Sequence, residues 1–501
     1  MIRSGGAAAP GGTDRMRTSS YVIYVDLPTS HEEMLLIHGY TGAFDRVGRR
    51  VSGFLRRNEA GHVPKPLHGD WSDYDAGFSE SEPPNAETIA RLRERGYLTD
   101  MSVEAEESFL VENLDRWHLA RAMSAPQFIF MPTYDCNLRC GYCFQDGMRT
   151  DGSRRHLLRT MGRDVVDRIF AAMPRIEALH GLSPDRRPFR SIGYFGGEPL
   201  LARCRDTVEH IINRAKATGD NSFWAVTNAT ELDAYADLLG PGGISVLQIT
   251  LDGPPAEHDR RRIYPDGTGS FAKIVRNLHL ALERGVQVQV RVNVDRGNLA
   301  DLPAVARTII REGWDGYPAF SAYAAVIHPS SSAVEPTTTL STWDLRKELE
   351  RMRADDSDMR VFTLPDERMQ QNLHNILLNR LNPAPFMKSA FCSAHDKMYI
   401  FDAFADIYAC WERTGDAKIR IGSISPEGAI ASNGPMLKQW RTRSAASNPV
   451  CARCRYVLHC GGGCAVLAEA KHGRFFGNHC DAFGQRFRAS AAGAYAALLS
   501  G

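Results

Sequence analysis

Between residues 128 and 327, short runs of β-branched and aromatic residues alternate with longer stretches whose apolar positions recur every three or four residues. The runs predict six strands, over 128–132, 192–195, 223–227, 246–251, 286–294 and 317–326. The stretches between them predict helices over 164–173, 207–217, 271–284 and 302–311. Strands that alternate with helices build a parallel α/β sheet, curved or closed, because each crossover returns the chain to the same end. Ligands in such sheets sit at the carboxyl ends of the strands, and the chemically suggestive residues of this chain fall just after strands.

Upstream the pattern changes. Two extended apolar runs, 21–27 and 34–38, precede the turn Gly39-Tyr40-Thr41-Gly42 and helical patterns that end in Arg95-Gly96-Tyr97-Leu98. Small strands followed by helices predict a winged-helix-like module over 21–100, with a Pro-, Gly-, Asp- and Ser-bearing loop over 61–84. Residues 1–20, rich in Gly, Ala, Ser and Arg, read as a disordered leader without the apolar core of a secretion signal, and 101–127 as a linker. Beyond the sheet, 331–385 reads as a helical bridge with helices over 342–353 and 366–381. From 386 to 501 cysteine and glycine replace regular periodicity, so that segment needs metal to hold its fold.

Composition narrows the partners. With 60 Lys+Arg against 59 Asp+Glu the formal charge is +1, which removes the electrostatic argument for nucleic acid or an anionic membrane. No apolar run approaches a membrane span. Eleven cysteines in a chain that carries no export signal point to a cytoplasmic setting and to metal ligation rather than a disulfide framework. Ten of them fall into two groups, and Cys204 alone reads as a small buried hydrophobe.

The first group, Cys136, Cys140 and Cys143, forms C-x3-C-x2-C directly after the first predicted strand. Three thiolates on one loop can hold three irons of a cubic cluster and leave the fourth open for a small chelating molecule. A zinc knuckle needs a fourth nearby ligand, and the nearest histidine, His156, lies thirteen residues beyond Cys143. The loop, Cys136-Asn137-Leu138-Arg139-Cys140-Gly141-Tyr142-Cys143, resembles the signature of radical S-adenosylmethionine (SAM) enzymes. A second element, Tyr194-Phe195-Gly196-Gly197-Glu198-Pro199 after the second predicted strand, is similar to that family's Gly-Gly-Glu-Pro turn. The resemblance implies a partial (β/α)6 barrel over 128–330, in which the open iron chelates SAM and electron transfer into its sulfonium yields a 5′-deoxyadenosyl radical. It further implies that Tyr142 lies beside the adenine and that Gly196, Gly197 and Glu198 meet the cofactor's methionyl end. Asn228, Thr250, Asp252, Arg291 and Asn293, at later strand ends, would contact the rest of it. Period two places Arg291 and Asn293 on one face of their strand.

The second group includes Cys451, Cys454, Cys460 and Cys464, spaced C-x2-C-x5-C-x3-C, with Cys392 and Cys410 before and Cys480 after. From the residues alone, a zinc module and an iron-sulfur site are both open. The arrangement resembles the SPASM extension of radical SAM enzymes, which carries two auxiliary 4Fe-4S clusters. By that likeness Cys451, Cys454, Cys460 and Cys480 bind an outer cluster, and Cys392, Cys410 and Cys464 an inner one that lacks a fourth thiolate, with water, substrate or His395 completing it. Ala405 stands where the family pattern has glycine.

The three-part layout of winged-helix-like module, barrel and cysteine-rich extension is similar to peptide-maturing radical SAM enzymes. It implies three 4Fe-4S clusters, SAM, an electron donor such as flavodoxin or ferredoxin, and a precursor peptide whose leader is gripped by strand addition. The leading expectation is oxidative cross-linking through a thioether, carbon-carbon or carbon-oxygen bond. The alternative is a sulfatase-maturing, formylglycine-generating enzyme, in which an acid directly follows the second SPASM cysteine, whereas Trp411 follows Cys410 here. A third reading is a zinc-stabilised peptide-binding scaffold without catalysis. No general base stands out, and Asp252, Tyr323 and Glu412 are the polar residues placed near the expected cavity.

Overall fold

A computed structural model of the chain describes residues 16–27, 30–59, 83–183, 189–330 and 334–500. Two compact units result, one built from 1–119, 366–392 and 443–501, the other from 120–365 and 393–442. These units cut across the boundaries expected at 100 and 386.

The first unit begins with β1 (Arg17–Thr18), inside the span expected as leader. The next strands, β2 (Val22–Leu27), β3 (Ser30–His38) and β4 (Phe44–Gly48), form an antiparallel sheet in the order β2-β3-β4. A short β5 (Leu98–Thr99) pairs antiparallel with β1. The stretch expected as a linker is a 20-residue helix, Val103–Ala122. Leu110, Leu114 and His118 recur every fourth position and are buried, whereas the dense charge on its other faces hides that stripe in the sequence. Its buried Glu106 accepts from Ser20 N (2.9 Å) and pairs with Arg17 (2.8 Å), which fixes β1. The expected loop over 61–84 lies almost wholly outside the described residues.

One face of the small sheet, Ile23, Val25, Leu35 and Ile37, packs on Leu373, Tyr456, Phe487 and Tyr495. The N-terminal module therefore shares its core with the last cysteine segment and the closing helix Phe483–Ser500. Tyr21 Oη donates to Ala452 O (2.7 Å), and the buried Arg455 donates to Val22 O (2.6 Å). Deleting the first 100 residues would strip this core bare, so truncation cannot isolate peptide binding from folding.

In the second unit, β6 (Gln127–Phe130), β7 (Arg190–Tyr194), β8 (Asn221–Thr227), β9 (Ile244–Thr250), β10 (Gln287–Val294) and β11 (Phe320–Val326) are parallel neighbours in chain order. They are the six expected strands, with ends shifted by up to three residues. Among the described residues the sheet then extends at both edges and does not close. A seventh parallel strand, β12 (Phe362–Thr363), flanks β11, and β13 (Met398–Phe401) runs parallel beside β6. Antiparallel β14 (Asp406–Tyr408), β15 (Gly422–Ile424) and β16 (Ile430–Ser432) follow it. Helices such as Arg163–Leu179, Arg205–Lys216, Phe271–Glu283 and Leu302–Arg311 supply the crossovers. Among the described residues no helix is long and apolar enough to cross a membrane.

The turn from β13 to β14 carries the residue that breaks the family pattern. Ala405 has φ +62°, a left-handed conformation that its Cβ resists, while Asp402 accepts from Phe404 N (2.9 Å) and Asp406 N (3.0 Å) and fixes the turn. Ala405→Gly is expected to stabilise the protein by about 1 kcal/mol in urea unfolding. A loss of stability would show that the turn is not held in this conformation.

Candidate active site

The C-x3-C-x2-C loop leaves the carboxyl end of β6, and the Gly-Gly-Glu-Pro turn leaves β7 beside it. Gly197 N donates to Thr133 O (3.1 Å) and Glu198 N to Asp135 O (2.8 Å), so the turn is laced to the loop through the backbone. A Cβ on Gly197 would lie 2.1 Å from Asp135 O, and one on Gly196 would lie 2.5 Å from Thr133 O. The two glycines therefore admit the cysteine loop, a role that was expected to fall to the cofactor.

The three thiols act on one another. Burial first, then the Glu198 charge and Cys140, push the Cys136 thiol up to about 12, and burial, with Cys143 and against the pull of Arg262, raises Cys140. Such mutual repulsion is relieved when a cation draws the thiolates together. Around them stand buried donors without a partner among the described residues: Gln145 Nε2, Arg149 Nε and Nη1, and Arg262 Nε. Arg149 Nη2 contacts Cys143 Sγ at 3.3 Å. Three thiolates ringed by orphaned N–H groups fit an anionic, sulfide-bearing cluster and an anionic ligand better than a bare dication.

The remaining expected residues separate into two levels. At the loop, Tyr142 Oη donates to Asp252 Oδ2 and accepts from Arg262 Nη1 (2.6 Å) and Asn293 Nδ2 (3.1 Å). Asp252, fully buried, also accepts from Asn293 N (2.8 Å), which makes it a brace of the loop. Arg261 stands 5.4 Å from the Tyr142 ring centroid, and a cavity of about 280 Å³ opens there, lined by Gly141, Tyr142, Arg261, Asp295, Ile327 and Val334. Asn228 Nδ2 donates to Asn137 Oδ1 (2.9 Å) and lies 3.7 Å from Cys136 Sγ. Glu198 accepts from Asn228 N (2.6 Å), Thr227 Oγ1 (2.7 Å) and Leu200 N (2.9 Å). Burial pushes its pKa up to about 7 against the pull of those donors, and a bound ammonium would pull it down further.

Deeper in the sheet, half-exposed Trp224, Gln248, Gln289, Arg291 and Tyr323 alternate with buried Ala225, Ile249, Val290 and Ala324. The half-exposed set forms the polar inner face. Arg291 is flanked in register by Thr250 and Tyr323, and Tyr323 Oη donates to Gln248 Oε1 (2.7 Å). Burial raises the Tyr323 phenol, so it stays neutral at ordinary pH. Burial also raises Glu412, whose Oε2 has no partner among the described residues and which senses Ser330, Arg413 and Arg291. Trp411, which follows Cys410, stacks on Phe195 with ring centroids 5.3 Å apart.

Of the second cysteine group, Cys451, Cys454, Cys460 and Cys480 act on one another. Burial and then the other three thiols raise Cys451, and Cys460 is pushed up to about 12. Gly461, Gly462 and Gly463 all have φ near +80°, and a Cβ on Gly463 would lie 2.0 Å from His479 O. Arg443 braces this loop by donating to Gly463 O (3.0 Å) and Gly477 O (2.9 Å). Cys392 and Cys464 belong to the first unit and Cys410 to the second. His395 is buried, with Nδ1 on Trp440 O (3.1 Å).

Arg149, Arg262, Gln145 and Asn137 were not legible as site residues. Arg149 meets a sulfur, Asn137 and Arg262 meet residues just after β8 and β9, and Gln145 Nε2 has no partner among the described residues, so spacing along the sequence announces none of them.

Residues 130–309 match the radical SAM superfamily model. A probable GTP 3′,8-cyclase of Methanocella arvoryzae is 29% identical over 162 residues, 32% of this chain and 45% of that protein. The first of the curated relatives are thus spanned over less than half their own length. A cysteine-type anaerobic sulfatase-maturating enzyme of Clostridium novyi is 22% identical across 66% of this chain and 85% of its own. Among solved structures, anSMEcpe with bound AdoMet has the same fold, with a TM-score of 0.54 and 15% identity over 75% of this chain and 99% of that one. The same enzyme with AdoMet and the Cp18Cys peptide gives a TM-score of 0.51 at 16% identity over 75% of this chain and 98% of that one.

Proposed function

We propose, from the premise that the chain carries a radical SAM domain over residues 130–309, that it is a maturase which modifies a ribosomally made peptide, most directly by oxidative cross-linking. The observation that carries the proposal is the thiol triad of Cys136, Cys140 and Cys143, laced to a glycine turn and ringed by buried, unpartnered donors. Loaded with a 4Fe-4S cluster and SAM, such a site supplies a hydrogen-abstracting radical. The chain's own residues bind and orient. Glu198 would receive the ammonium of the cofactor, the unpartnered donors of Arg262 and Gln145 would serve its carboxylate, and Tyr142 with the cavity beside it would hold the adenine.

On the inner face Arg291, Gln248 and Tyr323 orient the peptide backbone, and Glu412 is the group positioned to take a proton from it. Cys451, Cys454, Cys460 and Cys480, all in the first unit, would hold an auxiliary cluster by the likeness to SPASM proteins. The N-terminal module takes the leader as an added strand along the β4 edge. A low-potential electron donor and a cytoplasmic setting belong to the same proposal.

The sulfatase-maturing reading is favoured by the anSMEcpe fold and by the Clostridium relative. The stacked Trp411, where that chemistry needs an acid, weighs against it. Co-expression with any short open reading frame found beside the gene, followed by mass measurement of the peptide, decides. Loss of two hydrogens per modification is expected. Conversion of a Cys or Ser to formylglycine would move the assignment to the second reading, and an unaltered peptide would contradict both.

A further inference from the structure

Arg149 lies six residues beyond Cys143, in the short helix Gly147–Thr150, with its side chain only 1% exposed. Its Nη2 donates to Cys143 Sγ at 3.3 Å. Its one ion-pair contact, Asp146 Oδ1, is at 3.5 Å, and that side chain is one-third exposed. Nε and Nη1 have no partner among the described residues. A guanidinium buried with two nitrogens unmatched is costly unless an anionic group faces it. Arg261 and Arg262 are also buried near the loop, but Arg261 pairs with Asp295, and Arg262, although it acts on Cys140, gives Nη1 to Tyr142 Oη and faces Asp252. Of the three, Arg149 is the arginine that hydrogen-bonds a cysteine sulfur.

We propose that Arg149 is a positioning residue which sets the reduction potential of the cluster held by Cys136, Cys140 and Cys143, a reading that rests on the iron-sulfur assignment of those cysteines. An N–H···S bond and an uncompensated positive charge both stabilise the added electron, and so raise the potential. Asp146 works in the opposite sense, since its carboxylate offsets part of that charge. The step concerned is the addition of one electron to the oxidised cluster, supplied in the assay by a low-potential chemical reductant.

The test is a redox titration of anaerobically loaded full-length protein by electron paramagnetic resonance, following the signal that changes when SAM is added. In Arg149→Met the ratio of reduced to oxidised cluster at a fixed potential should fall about tenfold, a shift of about 59 mV to more negative values for a one-electron couple. Arg149→Lys, which keeps the charge, should move it much less, and Asp146→Asn should move it the other way. An unchanged potential in Arg149→Met, or equal shifts in the Met and Lys variants, would overturn the proposal. If Met alone fails to load iron, Asp146→Asn decides by the presence or absence of its opposite shift. If neither Met nor Lys loads iron, Arg149 holds the cluster and does not tune it, and the proposal falls. A wild-type protein without any SAM-responsive signal would instead defeat the iron-sulfur assignment itself.

Discussion

Cys136→Ala is expected to reduce 5′-deoxyadenosine formation from SAM to the uncatalysed background. The residue is half-buried, and its sulfur accepts from Leu138 N (3.4 Å) and lies 3.7 Å from Asn228 Nδ2. Those contacts fix it as one corner of the triad. Removing one of three thiolates leaves two irons of the cube unprotected and destroys the single open position that the chemistry requires. Cys204→Ala is the matched control, because that thiol is fully buried behind the helix start Arg205–Lys216 and belongs to neither group. Its variant should retain wild-type cleavage. Chromatographic quantification of 5′-deoxyadenosine under reducing, oxygen-free conditions reads both, and cleavage surviving in Cys136→Ala would remove the triad from the mechanism.

Gly197→Ala is expected to lower cleavage by about 10²-fold, because displacements of about 1 Å near reacting groups cost that much. The new methyl would lie 2.1 Å from Asp135 O and 2.4 Å from Tyr134 O, both backbone atoms that cannot turn aside. The cysteine loop must shift, and the hydrogen bonds from Gly197 N to Thr133 O and from Glu198 N to Asp135 O must lengthen. Gly147→Ala separates this steric effect from mere change in the loop. Gly147 lies four residues beyond Cys143, yet a Cβ there meets nothing within 4 Å. Iron content and cleavage should be near wild type in Gly147→Ala and both depressed in Gly197→Ala. Equal behaviour of the two variants would mean that the glycine turn does not support the loop.

The parallel sheet was legible because its strands are buried on one face and half-exposed on the other, so the period-two pattern survives in β8 to β11. What escaped has little apolar contrast. β4 reads Phe-Asp-Arg-Val-Gly, a charged edge, and β12 has only two residues. The closing helix Phe483–Ser500 is rich in alanine and follows a cysteine and glycine tract, so small residues mask the face that carries Phe487 and Tyr495. Local spacing also made the cysteines visible, since a loop of eight residues fixes three ligands without help from the rest of the chain. Asp252 shows the opposite case. A carboxylate at a strand end looks like chemistry, and only the hydrogen bonds with Tyr142, Asn293 and Arg262 reveal it as a brace. The unity of the N-terminal module with the last cysteine segment was likewise invisible, because the contacts of Tyr21 and Arg455 join residues more than 430 positions apart.

Iron and acid-labile sulfide, assayed with paramagnetic resonance on reduced, oxygen-free protein before and after addition of SAM, test the central claim most directly. Brown protein with near-equal iron and sulfide, and a signal whose shape changes with SAM, is the predicted result. Colourless protein with stoichiometric zinc and no such signal would contradict it.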